Sequence, residues 1–180
     1  PAFVVDRWAY RRTGNWGTNS FTLSQELLPD SGIVGPFTHY LRLEQSGTAA
    51  SVPSETMCAL NQRGEYNIFN VLNDGTSGTK EFTVSWYARG SRPGTYSMGI
   101  LSHNSFDGNS YSYITEYSLT SSWQRFSATV PAQTNGTFGK ESESNEIAFD
   151  LYFTSAGDQV GTYATTNINA WDSTDRRYSA

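Results

Sequence analysis

Between two turn signals, Asn73-Asp74-Gly75 and Arg92-Pro93-Gly94, the segment Lys80–Arg89 reads KEFTVSWYAR, with apolar and polar residues at period two. Phe82, Val84, Trp86 and Ala88 fall on one face, and Thr83, Ser85 and Tyr87 on the other. A helix would scatter these residues around its axis, whereas a half-buried strand sorts them. The inward phase assigns Trp86 to a core. The same device recurs in Phe3–Tyr10, Phe21–Leu27, His39–Gln45, Tyr96–Leu101, Tyr111–Leu119, Gln124–Val130 and Ile147–Phe153. In the last of these, Ile147, Phe149, Leu151 and Phe153 are expected to point inward, with Asp150 and Tyr152 outward.

The segments between these strands are polar and carry Gly, Asn, Pro or Asp: Thr13–Ser20, Leu28–Pro36, Gly47–Pro53, Ser102–Ser110 and Thr134–Glu146. Two stretches read less simply. Thr56–Leu60 fits a strand, or a short helix capped by Ser54. Glu65–Asn73 places Tyr66, Phe69 and Leu72 at helical spacing, which predicts one or two helical turns closed by Asn73-Asp74-Gly75. No strand–helix–strand alternation appears, which argues against a parallel sheet. The expected fold is all-β: a single domain over 1–180, an antiparallel two-sheet β-sandwich of jelly-roll type.

Composition narrows the function. Aromatic residues make up 14% of the chain and charged residues only 16%. The 12 basic and 17 acidic side chains leave a net charge of -5. The paired basic residues Arg11-Arg12 and Arg176-Arg177 form no stripe that could neutralise phosphates, so nucleic acid is not an expected partner. No apolar run approaches the roughly 20 residues of a membrane helix, so membrane insertion is not expected either. Cys58 is the one cysteine. It cannot form an intrachain disulfide, and it reads as a small buried hydrophobe and not as a catalytic thiolate.

Reactive chemistry is sparse. His39 and His103 lack the paired spacing of a zinc site. No Gly-x-Ser-x-Gly elbow marks a nucleophile. Glu116 and Asp150 lie in strands and are the candidates for a glycosidase acid pair, but outward strand acids are ordinarily solvated. The triplet Asp107-Gly108-Asn109 reads as a turn first and a calcium loop a distant second. No catalytic residue, metal site or cofactor is therefore assigned. The aromatic side chains remain as the resource for binding. Trp16 lies in the loop Gly14-Asn15-Trp16-Gly17, and Tyr111 and Tyr113 share a strand face beside Asn104, Asp107 and Asn109. These six residues are the candidate ligand contacts, against the competing reading that the tyrosines stabilise neighbouring strands.

The order of several motifs carries a resemblance. DRW (Asp6, Arg7, Trp8) is followed by LNQRGE (Leu60–Glu65), FTVSWYARGSRPGTYSMGI (Phe82–Ile100), SSWQRFSATVPAQTNGTF (Ser121–Phe138), IAFDLYF and a final NAW (Asn169–Trp171). Over nearly the whole chain this resembles a domain of bacteriophage tail-fibre and other virion proteins, similar to carbohydrate-binding jelly rolls. The resemblance implies that Asp6, Arg7, Trp8, Gln62, Trp86, Arg89 and Trp123 are scaffold. It also implies a non-catalytic virion component, a tail fibre or appendage, attaching to host cell-surface glycans. A capsid or tail decoration protein bound to other virion subunits is the alternative, and a polysaccharide-degrading enzyme a third. A homotrimer follows by analogy. That family usually continues into a closing strand after NAW and often has another strand before DRW, so the chain reads as a processed part or an excerpt of a longer protein.

Overall fold

The computed structural model describes residues 3–5, 8–13, 20–28, 37–47, 57–65, 78–103, 110–132, 147–154 and 168–170. These are strands and their connections, with no helix among the described residues. In chain order the strands are β1 (Phe3–Val5), β2 (Trp8–Thr13), β3 (Ser20–Leu27), β4 (His39–Ser46), β5 (Met57–Glu65) and β6 (Phe82–Ala88). They continue as β7 (Gly94–His103), β8 (Ser110–Leu119), β9 (Gln124–Val130), β10 (Ile147–Thr154) and β11 (Ile168–Ala170). A seven-stranded sheet runs β1-β2-β5-β10-β7-β8-β11, and β3-β4 and β6-β9 form two-stranded ribbons.

The period-two segments became strands because alternation gives each of them one face to bury. In β6 Phe82, Val84 and Trp86 are half-buried with Thr83 and Ser85 exposed between them, and Tyr87 and Ala88 at its end are half-buried too. Directly across, β9 supplies Val130, Ala128 and Phe126 at the matching positions. That inner row packs on Met98 and Ile100 of the large sheet, with Tyr113, Tyr117, Leu151 and Phe153 around them. The Trp86 ring lies 5.2 Å from Tyr117, 5.8 Å from Phe126 and 5.3 Å from Phe153. The β3–β4 ribbon covers the other end of the same face, where Phe21 and Cys58 are buried against Tyr10 and Leu43. Gly47 ends this ribbon with φ near 100°, a backbone angle that glycine adopts without steric penalty.

Several expectations are corrected. Phe3–Tyr10 is not one strand: Phe3 pairs with Ala9 and Val5 with Trp8, so the segment doubles back as β1 and β2. β5 is a nine-residue strand that continues through Gly64 to Glu65, and the helical reading of Ser54–Leu60 falls away from Met57 onward. It is held by β2 on one side and β10 on the other, and two ladders override a weak local pattern. The expected helical turns after Glu65 lie outside the described residues. β7 reaches His103, which pairs with Ser110, so His103 belongs to a strand and not to a loop. β11 joins the edge of β8 in parallel, the one parallel pair among the described strands.

The largest correction concerns Tyr152, expected outward and found 1% exposed. A row crosses five strands through Ala9, Asn61, Tyr152, Gly99 and Ile114. Every member of it is buried. The second face of the large sheet is therefore closed in its middle too. Tyr152 is in register with Gly99, and the Asn61 Nδ2–H donates to the Leu151 carbonyl at 3.4 Å. A bulge between Ile147 and Phe149 also shifts Ile147 out of the register expected of it.

Candidate functional site

The outer face of the β6–β9 ribbon is where polar, aromatic and cationic groups converge. Its phase is set by the inner one: with Phe82, Val84 and Trp86 packed inward, Thr83, Ser85 and Tyr87 must face out. β9 places Thr129, Ser127 and Arg125 directly opposite them. Thr83 and Thr129, Ser85 and Ser127 form a band of exposed hydroxyls, with Thr83 Oγ1 and Thr129 Oγ1 3.2 Å apart. At the end of the ribbon the character changes to Tyr87 opposite Arg125, followed by Arg89 and Trp123.

The end is tied down by backbone bonds. The Gly90 N–H donates to the Thr120 carbonyl at 2.9 Å. The Thr120 hydroxyl bonds the Ser122 carbonyl and the Gln124 side chain, which fixes the turn that presents Trp123. The Trp123 ring meets Tyr40 of β4 edge-on at 5.3 Å. The Arg89 guanidinium lies over both, 5.2 Å from the Trp123 ring and 6.0 Å from the Tyr40 ring. Phe37, just before β4, meets Tyr87 at 5.8 Å. Leu27 and Phe37 are 73% and 54% exposed, so an apolar edge borders the cluster. Leu27 keeps the phase of the buried Phe21 and Leu23, so the ribbon tip runs past the sheet that covers them.

The charges here are unbalanced. Arg42 is held by Glu44 at 3.0 Å, whereas Arg89 and Arg125, both exposed, have no carboxylate partner among the described residues. The nearest acid by register is Glu26, across from Tyr40, and it accepts a hydrogen bond from Ser24 Oγ at 2.8 Å. The surface therefore offers ring faces, hydroxyls and in-plane guanidinium donors. That set can bind a polar ligand with apolar ring faces.

The residues singled out from sequence divide three ways. Trp16, Asn104, Asp107, Asn109, Asp6 and Arg7 lie outside the described residues. Tyr111 lies in β8 opposite Ser102, and its side chain is likewise outside the description. Tyr113 lines the core cluster and donates its hydroxyl to the Thr129 carbonyl at 3.2 Å. Trp8 and Gln62 pair across β2 and β5, and the Trp8 ring lies 6.2 Å from Phe153. Trp86 is in the core, and Arg89 and Trp123 form the end cluster. Cys58 is fully buried. His39 is exposed and shares a 2.9 Å contact between its Nδ1 and Thr38 Oγ1.

The two candidate acids are not brought together. Asp150 is in register with Leu101 and Glu116 with Ser97, on strands either side of β7. Strand rise and spacing put their backbones about 16 Å apart. A glycosidase pair needs carboxyl groups roughly 5–9.5 Å apart. Among the described residues no group of His, Cys, Asp or Glu could hold a metal ion, and no helix is long and apolar enough to cross a membrane.

Sequence reading missed Phe37, Tyr40, Tyr87 and Arg125. One signal was available: Tyr87 and Arg89 share the outward phase of a strand whose other outward residues are Thr and Ser. Comparisons with protein-family models, with curated proteins and with solved structures find no match.

Proposed function

We propose that the chain is a non-catalytic adhesion module of a virion, a β-sandwich of jelly-roll type that attaches to host-surface glycans. The observation that carries this reading is the outer surface of the β6–β9 ribbon, where Tyr87, Trp123 and Tyr40 border a band of hydroxyls. Sugar rings have apolar faces that lie on aromatic side chains, and their hydroxyls bond to Ser, Thr and Arg. An exposed strand face suits such shallow, polar contact. The separation of Glu116 from Asp150 favours binding over hydrolysis. The virion setting rests on the order of motifs from DRW to NAW. There, repeated copies would raise weak single-site affinity by roughly 10²–10⁴-fold through effective concentration.

The test is binding of the chain to host envelopes and an array of bacterial glycans, with Trp123→Ala and Tyr87→Ala alongside. Loss of glycan binding in folded variants is the expected result. Undiminished binding in both would remove this surface from the account. A second reading draws on exposed Leu27 and Phe37, which suit contact with another virion subunit, as in a decoration protein. Copurification with shell protein that depends on Leu27 and Phe37, with no glycan binding, would favour it.

A further inference from the structure

We propose that the ligand of this surface is an acidic polysaccharide, with a carboxylate in its repeating unit held by Arg89 and Arg125. This rests on the glycan reading above and names the class of glycan. Three observations carry it. First, Arg89 and Arg125 are exposed without carboxylate partners among the described residues, whereas Arg42 on the neighbouring ribbon has its own in Glu44. Second, both arginines sit in the outward phase of one ribbon. Arg125 is directly across from Tyr87, and Arg89 is two residues beyond Tyr87, just past the end of β6. Diagonal neighbours of this kind are roughly 7–8 Å apart, so the two exposed guanidiniums can meet one short stretch of polymer beside the half-buried rings of Tyr87, Trp123 and Tyr40.

Third, Arg89 is pre-set for the task. Lying over Trp123 and Tyr40 restrains its side chain, and the residue stays exposed, so a carboxylate can reach the guanidinium and accept two of its N–H donors. The charge of the whole molecule adds direction. At a net -5 the protein repels an acidic polymer in general, and a local cationic, aromatic surface is where that polymer can dock. Single-stranded nucleic acid also uses stacking and arginine. Two arginines on an acidic chain neutralise too few phosphates to favour it.

The experiment measures binding of the full chain to hyaluronan, polysialate, alginate and polygalacturonate by biolayer interferometry. Each is paired with its carboxyl-reduced or methyl-esterified form, and oligothymidylate is a further arm. The expected result is binding of at least one acid, with its neutral form about tenfold weaker or worse. Affinity should fall between about 50 and 200 mM salt. Arg89→Gln and Arg125→Gln should each lose about tenfold with unchanged circular dichroism. Equal binding of acidic and neutral forms overturns the inference and leaves the glycan reading standing. Binding of no glycan at all overturns both. Tightest binding of oligothymidylate replaces the inference with nucleic-acid recognition.

Discussion

Trp86 offers a perturbation whose size can be worked from its surroundings. Its ring touches Tyr117, Phe126 and Phe153 at 5.2–5.8 Å and packs on the Met98–Ile100–Val130 cluster. Truncating such a residue to alanine ordinarily costs about 3–5 kcal/mol. Two features lower the figure here. Trp86 is half-buried, and its Nε1 is buried with no hydrogen-bond partner, a burden of about 1–3 kcal/mol that truncation removes. Trp86→Ala should therefore destabilise by about 2–3 kcal/mol. Trp86→Phe keeps a ring against the same three neighbours and deletes the unpartnered N–H. It should stay within about 1 kcal/mol of wild type. Urea denaturation followed by circular dichroism measures both, with the slope unchanged so that midpoints compare directly. A Trp86→Ala loss below about 1 kcal/mol would mean that the ribbon does not pack on the sheet. A Trp86→Phe loss equal to the Trp86→Ala loss would mean that the indole N–H makes a bond absent from this account.

Other expectations follow from single contacts. A Cβ on Gly90 would stand 2.5 Å from Leu119 Cδ2, so Gly90→Ala should cost about 1–3 kcal/mol and cost far less beside Leu119→Ala. Equal costs in the two backgrounds, read from a double-mutant cycle, would deny the clash. Burial, reinforced by the Tyr96 phenol, pushes the Tyr117 phenol well above its ordinary value. The folded pKa is thus raised over the unfolded one. Its contribution is intact below about pH 10 and is lost above it by up to about 1.4 kcal/mol per pH unit. Urea midpoints taken from about pH 9 to 11 should fall more steeply for wild type than for Tyr117→Phe, and parallel curves would refute this. Cys58 is 0% exposed, so its reaction with a thiol reagent should track global unfolding, and rapid labelling of the native chain would contradict its burial.

Much of the strand content was legible because alternation is a local property. KEFTVSWYAR specifies both its face and its partner's face, and Trp86 sits where that phase places it. Burial on two faces is different. Tyr152 does lie on the opposite face from Leu151 and Phe153, but periodicity alone cannot say that this face is covered as well, and the ring is buried, not outward in solvent. Five strands had to align before Ala9, Asn61, Tyr152, Gly99 and Ile114 formed a buried row. β5 was hidden for a related reason: its central place between β2 and β10 comes from long-range pairing, and Gly64 weakens the local signal. The end cluster was half legible. Arg89 and Trp123 stood out as motif residues, but their meeting with Tyr40 depends on how two ribbons lie side by side.

If the Arg89–Trp123–Tyr40 end is the binding surface, the indole N–H signals of the chain's five tryptophans report it directly. On titration of the labelled protein with the acidic polysaccharide panel, the Trp123 resonance should move and broaden, while the core Trp86 resonance stays in place. Binding that shifts another indole and leaves Trp123 unmoved would contradict it.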